Sequence, residues 1–329
     1  MRVRTTLVLA AAVFGSLGSQ LGPSEQPVDR LLWAERSFSE MSVKDGMKPA
    51  FLHWFADDGL MFWPGPTNAK QLWAGWPDSK NTLIWQPSYG EVSGAEDLGV
   101  TFGPSEIRPP KGSDAPVRHG HFVSVWRREA KGPWQVVADL GISHGKPEHG
   151  VGNTKIVRGP THEPPKPYQR RGGLSVGGGV FSGNFGVGVG VGPGTLAAEN
   201  DVRHRQMAQE TNRMMSAERG YAFEIRRKDV RAALLKHAAE DLRFFRDGSL
   251  PSLGIDAAAA AQTARGRHTT FLPRGNRVSE SYDLGYTYGL VESRRDAKAK
   301  PDTSGFLHVW RRDEKGAWKL IVDAEKGFE

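Results

Sequence analysis

The chain contains no cysteine. That absence excludes disulfide scaffolds, thiolate nucleophiles, cysteine-ligated zinc and iron–sulfur clusters, and it leaves carboxylates and imidazoles to carry any chemistry. Long apolar runs are lacking as well. The stretch from Leu7 to Phe14 is well short of the ~20 residues that a spanning helix needs, and no later segment supplies one, so no membrane span is expected. Nucleophile elbows, zincin motifs and phosphate-loop patterns do not occur.

What is present begins with a leader. Arg2 and Arg4 precede the apolar run, and Ser16-Leu17-Gly18 places small residues at the −3 and −1 positions of a cleavage site. This pattern predicts a signal peptide over residues 1–18 and an exported chain, periplasmic or secreted. The 329 residues carry 38% apolar and 25% charged side chains, enough for two packed domains. A formal charge of +7 raises nucleic acid as a partner, but its distribution argues against one. Two of the cations leave with the leader. Between Ile142 and Leu196 six more, Lys146, Lys155, Arg158, Lys166, Arg170 and Arg171, face only Glu148 and Glu163. The remainder is close to neutral, so no nucleic-acid face is expected.

The same stretch, 142–196, reads as a linker. It holds Pro160-Thr-His-Glu-Pro-Pro-Lys-Pro167, and 11 of the 23 residues from Gly172 to Gly194 are glycine. Such composition buries too little side chain to offset its ordering entropy, which predicts a flexible, solvated segment.

Outside the linker the chain repeats itself. Ala34-Glu35-Arg36 recurs as Ala217-Glu218-Arg219, Asp97-Leu-Gly-Val-Thr-Phe-Gly103 as Asp283-Leu-Gly-Tyr-Thr-Tyr-Gly289, and Val125-Trp-Arg-Arg128 as Val309-Trp-Arg-Arg312, at offsets of 183, 186 and 184. Matched blocks in one order with near-constant offsets make a tandem duplication, with copies over 24–141 and 197–329. In the first copy, Leu31, Ala34, Phe38 and Met41 keep helical spacing, and Met47 to Phe55 repeats it after Gly46. Asp57-Asp58-Gly59 is expected to stop the second helix ahead of a short strand, Leu60 to Trp63, and Asn68 to cap a third helix reaching Trp76. Four strands near 82–92, 98–107, 118–128 and 134–140 follow as an antiparallel meander. Helices first and sheet afterwards predict an α+β class with the helices across one sheet face.

The Ala-Asp-Asp-Gly-Leu-Met-Phe-Trp-Pro-Gly stretch at 56–65, the Asp-Leu-Gly-x-Thr-x-Gly strand and the closing Val-Trp-Arg-Arg…Gly-x-Trp block resemble SnoaL-like domains of the nuclear-transport-factor-2 superfamily, in its bacterial branch of unknown function. The resemblance covers both copies. It implies cone-shaped α+β domains, each with three helices on a curved antiparallel sheet and a pocket between them. It also implies pairing sheet to sheet, which two copies on one chain would satisfy as an intramolecular pseudo-dimer.

Candidate site residues follow from asymmetry between the copies. Eight of ten tryptophans lie in the first copy; only Trp126 and Trp134 have counterparts, Trp310 and Trp318, and these pairs are expected in the core. Trp33, Trp54, Trp63 and Trp85 align with Ser216, His237, Arg246 and Phe271. The first copy therefore holds an aromatic lining that the second lacks, with Trp54, Trp63, Trp73, Trp85 and Phe122 the expected contacts for a small apolar or aromatic ligand. The alternative is a cofactor-independent acid–base enzyme of isomerase, cyclase or dehydratase type, with Asp58, His121 or Asp139 as the base. His119-Gly-His121 offers two imidazoles on one strand face without an acidic third ligand, so no metal and no cofactor are expected.

Overall fold

Pro27 opens the first helix, α1 (Pro27–Asp45), at a position whose N–H has no intrahelical partner, and Gly46, at φ +95°, ends it and starts α2 (Met47–Trp54). The computed structural model describes residues 26–163 and 193–328 except 131, 262–267, 295 and 297. The leader and the Gly-rich run at 172–192 lie outside these residues.

Asp57-Asp58-Gly59 does not stop α2. The helix ends at Trp54 and the chain enters β1 (Phe55–Phe62) directly, with both acids on its exposed side. The pairing of β1 with the last strand shifts between Phe55 and Leu60, so the acidic triplet forms an irregularity inside a strand. A side chain at Gly59 would meet the Val136 carbonyl oxygen at 2.8 Å, so glycine allows the two strands to close there. β2 (Pro66–Asn68) and α3 (Ala69–Gly75) follow, with the Asn68 side chain accepting from the Gln71 N–H as the expected cap.

The expected 82–92 strand is two, β3 (Thr82–Trp85) and β4 (Tyr89–Val92), broken at Gln86-Pro87-Ser88; both pair with β5 (Leu98–Arg108). Proline cannot donate to a ladder, which accounts for the break. β6 (Arg118–Arg128) and β7 (Trp134–His144) complete the meander, and β7 runs four residues beyond the expected end. β1 returns parallel to β7, giving the order β2-β1-β7-β6-β5-β4.

The segment after β7 departs from the solvated linker expected from its composition. Val151 is 2% exposed in a short 3-10 turn, η1 (Val151–Asn153), and β8 (Val157–Arg158) pairs parallel to β4 at the sheet edge. Proline and glycine content forecasts a poor core, but an edge strand's unpaired N–H and C=O groups recruit backbone, not side chains.

The second copy repeats the plan: α4 (Pro193–Arg227), α5 (Val230–His237), β9 (Ala238–Arg246), β10 (Ser252–Leu253), α6 (Ile255–Ala261), then β11 (His268–Val278), β12 (Leu284–Arg294), β13 (Asp302–Arg312) and β14 (Trp318–Gly327). Its sheet runs β10-β9-β14-β13-β12-β11, with β9 parallel to β14. α4 starts ahead of the repeat, since Glu210 is the position matching Pro27.

Alternation along the strands sorts side chains into separate cores. Phe122 and Trp126 point to the helices of the first copy, Phe306 and Trp310 to those of the second. The opposite faces supply Val100, Val123 and Val125, which join Leu284, Leu307 and Val309 in a third core between the two sheets. Around it the contacts are reciprocal: the Gly94 N–H donates to Asp283 and the Glu280 N–H to Asp97, pairs related by the same offset of 186.

Candidate functional site

Each copy buries a carboxylate of its first helix beneath its sheet. Glu35 lies on the apolar stripe of α1 with Leu31 and Phe38, and Glu218 holds the same place on α4; both residues are fully buried. In the first copy Glu35 accepts from the Thr101 hydroxyl at 2.5 Å, the Trp126 indole at 2.8 Å and the Trp85 indole at 2.5 Å. Burial nonetheless outweighs these donors and pushes the carboxyl up to about 7, with the charge of Asp139 adding to the rise. Around Glu35 the space is filled with rings. Phe38 meets Trp85 edge-on at 4.7 Å, Phe51 meets Trp73 at 4.4 Å, and Trp54 meets Trp126 at 5.9 Å.

The second copy keeps the acid, the threonine and the tryptophan. Glu218 accepts from Thr287 at 2.6 Å and from Trp310 at 3.1 Å. In place of Trp85 stands Phe271, and the remaining partner is His308, whose Nδ1 lies 3.0 Å from Glu218 and whose Nε2 lies 3.4 Å from Asp323. Two carboxylates overcome the cost of burying the imidazolium and push His308 up to about 9. Asp323 is held well below the usual carboxylate range by Arg246 at 2.7 Å and by His308, and it also accepts from the Tyr221 hydroxyl at 2.7 Å.

The structure places the three candidate bases apart. Asp58 sits on the exposed side of β1 in a two-pronged pair with Arg127 at 2.8 and 2.9 Å, which lowers its carboxyl. Its counterpart Asp241 takes one nitrogen of Arg311, whose other nitrogen goes to Glu91, so in both copies the position ties its strand to the next strand but one in the sheet. His121 lies on the face of β6 turned toward the second copy, 2.7 Å from His144 and near Phe245. The His144 Nδ1–H donates to the Gly145 carbonyl, and its Nε2 faces the His121 Nδ1. Burial and the neighbouring imidazole push His121 down to about 4.

Asp139 alone of the three faces the helices. It accepts from Ser124 at 2.8 Å, its one side-chain donor among the described residues, and burial pushes it up to about 6. Its second-copy counterpart Asp323 is fully buried, whereas Asp139 is half-buried. Of the expected ligand contacts, Trp54, Trp73, Trp85 and Phe122 converge in the helix–sheet core of the first copy. Trp63 stays outside at the rim, 45% exposed, edge-on to Trp76 and beneath Lys326. The buried indole N–H of Trp54 has no partner among the described residues. Trp126, Trp134, Trp310 and Trp318 are core residues, as their recurrence predicts.

Glu35, Glu218 and His308 are the residues that sequence reasoning passed over. The signal was present: an acid inside the Leu31–Phe38 stripe, recurring in Ala-Glu-Arg of both copies, and a histidine alternating with Phe306 and Trp310 on the core face. Among the described residues no group of three His, Asp or Glu is placed to hold a metal ion, and no helix is long and apolar enough to cross a membrane.

No protein-family model matches the chain, and no curated protein does. Solved structures similar to it include a ketosteroid isomerase-like protein from Erwinia carotovora atroseptica (17% identity, 36% of this chain and 95% of that one, TM-score 0.32). An NTF-2 like protein of unknown function from Shewanella oneidensis shares 16% identity over 35% of this chain and 97% of its own, with a TM-score of 0.30. An NTF2-like protein with a cystatin-like fold from Novosphingobium aromaticivorans shares 16% over 41% and 89%, with a TM-score of 0.31. These are likenesses of fold. The order of helices ahead of the main antiparallel strands, expected from the sequence, is the order observed in both copies.

Proposed function

We propose that the exported chain binds a small apolar or aromatic molecule in the first copy, at the mouth of the helix–sheet core beside Asp139. The observation that carries this reading is the contrast at one matched position: Asp139 is half-buried with one side-chain donor, while Asp323 is sealed among Arg246, His308 and Tyr221. Asp139 is partly exposed, and the rings of the first core offer flat apolar surface. Trp54 contributes an unpaired N–H for an acceptor on the ligand. The second copy then serves as the first copy's partner in an intramolecular pseudo-dimer, a reading supported by the shared inter-sheet core and the reciprocal Gly94–Asp283 and Glu280–Asp97 bonds.

Acid–base catalysis at the same mouth is a second reading, favoured by two carboxyls poised near neutrality, Glu35 at about 7 and Asp139 at about 6. Titrating the mature protein with 2-naphthol while following tryptophan fluorescence tests the binding proposal. Binding that Trp54→Ala weakens at least tenfold and Phe271→Ala leaves unchanged is the expected result. Equal loss in both variants, or no saturable binding, sinks it.

A further inference from the structure

The start of the interval between the copies is built into the seam that joins them. β8 lies along β4 through two backbone bonds, Val157 N–H to the Ser88 carbonyl and Gly159 N–H to the Gly90 carbonyl, each 2.8 Å. Arg158 reaches Asp29 of α1 at 2.7 Å. Beyond β8 the chain turns across the end of the interface, and two glycines let it lie close. A side chain at Gly159 would meet the Tyr89 hydroxyl at 2.5 Å and the Glu91 Cβ at 2.8 Å, and one at Gly94 would run into the backbone of Glu163.

His162 ends up between the two copies. Its Nε2 is 2.8 Å from Glu91 of β4, in the first copy, and its Nδ1 is 3.7 Å from Asp283, just ahead of β12 in the second. Glu91 is fully buried, and its other oxygen takes the Tyr89 hydroxyl at 2.5 Å and Arg311 of β13 at 3.0 Å. Arg311 reaches on to Asp241 of β9. Asp283 itself accepts the Gly94 N–H, one of the two reciprocal contacts of the seam. A single imidazole thus touches an acid from each copy, and each acid is already engaged in holding the copies together.

We propose that residues 155–163 form a strap that locks the two copies in register, with His162 as its latch. Two acids and one arginine face the imidazole, so the cluster favours imidazolium, and the ring's proton affinity is raised by Glu91 and Asp283 over the opposing effects of burial and Arg311. The sign follows from that direction. The latch is charged and engaged below the ordinary histidine range, and it is lost as pH rises through the raised value. Among the described residues the strap has no counterpart in the second copy: there Arg277 aligns with Glu91, and β11 carries no described strand on its outer side.

Amide hydrogen exchange of the full mature chain tests the lock, because the strap and the seam have separate reporters. Val157 and Gly159 report the strap; Gly94, Ala95 and Glu280 report the seam through their bonds to Asp283, Ser281 and Asp97. His162→Gln is expected to speed exchange at least tenfold in both sets while amides of β6 and β13 keep their protection. Gly159→Ala displaces the strap without altering any charge and is expected to do the same. In the unsubstituted chain, raising pH from 7 to 9 should open both sets beyond the intrinsic rate change, and His162→Gln should remove that excess. Faster exchange confined to Val157 and Gly159 would make the strap a local appendage and overturn the proposal. So would unchanged seam amides in both variants.

Discussion

The two copies share a backbone plan and a buried Glu–Thr–Trp group, yet they fill the space above it with opposite chemistry. The first stacks rings around Glu35; the second surrounds Glu218 with His308, Asp323, Tyr221 and Arg246. Ring packing tolerates a gap at its edge, because each contact is small and independent. Buried charges do not, since each must keep its partner or bear the full desolvation cost. The difference accounts for a first copy whose Asp139 meets solvent and a second whose Asp323 does not.

The largest expected effect breaks the ionic side. Asp323→Ala leaves Arg246 and His308 without their shared acid, and denaturation of the protein should show a loss of about 3–5 kcal/mol. Asp139→Ala, which removes one bond from Ser124, should cost only about 1 kcal/mol. Similar losses at the two positions would erase the comparison. Removing a ring from the aromatic side, Phe38→Ala, should cost about 3–5 kcal/mol through the cavity it leaves among Phe51, Trp54, Trp85 and Trp126.

Titration sharpens the contrast. Glu35 and Asp139 have raised pKa values, so their stability contributions are complete below the ordinary carboxylate range and fade as pH rises through about 6 to about 7. His308 is raised too, but from a histidine's ordinary value, so its contribution persists through neutrality and fades toward about 9. Asp323, held low, contributes at every pH above the ordinary carboxylate range and is lost in acid. Stability measured across pH should therefore fall in two windows. Glu35→Gln should shrink the acidic one, leaving the part that Asp139 contributes, and His308→Gln should flatten the alkaline one; a variant that acts on the other copy's window contradicts the assignment. The smallest effect is expected at Arg127→Ala, whose partner Asp58 is largely exposed, at no more than about 1 kcal/mol.

Much of this was legible beforehand. The duplication, the α+β order and the core tryptophans follow from recurrence and spacing, because those patterns record which side chains face inward. Asp57-Asp58-Gly59 misled because helix-stop chemistry and a strand irregularity use the same residues, and pairing with β7 decides between them. The 145–163 segment misled because its docking rests on backbone bonds and close glycine contacts that composition does not encode. Among site residues, the aromatic cluster could be read and its depth could not: Trp63 occupies the rim while Trp85 spends its N–H on Glu35. Asp58, His121 and Asp139 looked equivalent in sequence because strand parity alone does not say which face receives the helices.

The central claim is that ligand enters the first copy and not the second. Indole N–H signals in protein labelled with ¹⁵N-tryptophan resolve the two copies within one sample. Adding 2-naphthol should shift the Trp54 signal most, with Trp73 and Trp85 following, and leave Trp310 and Trp318 in place. Shifts at Trp310 or Trp318 without any at Trp54 would contradict the account.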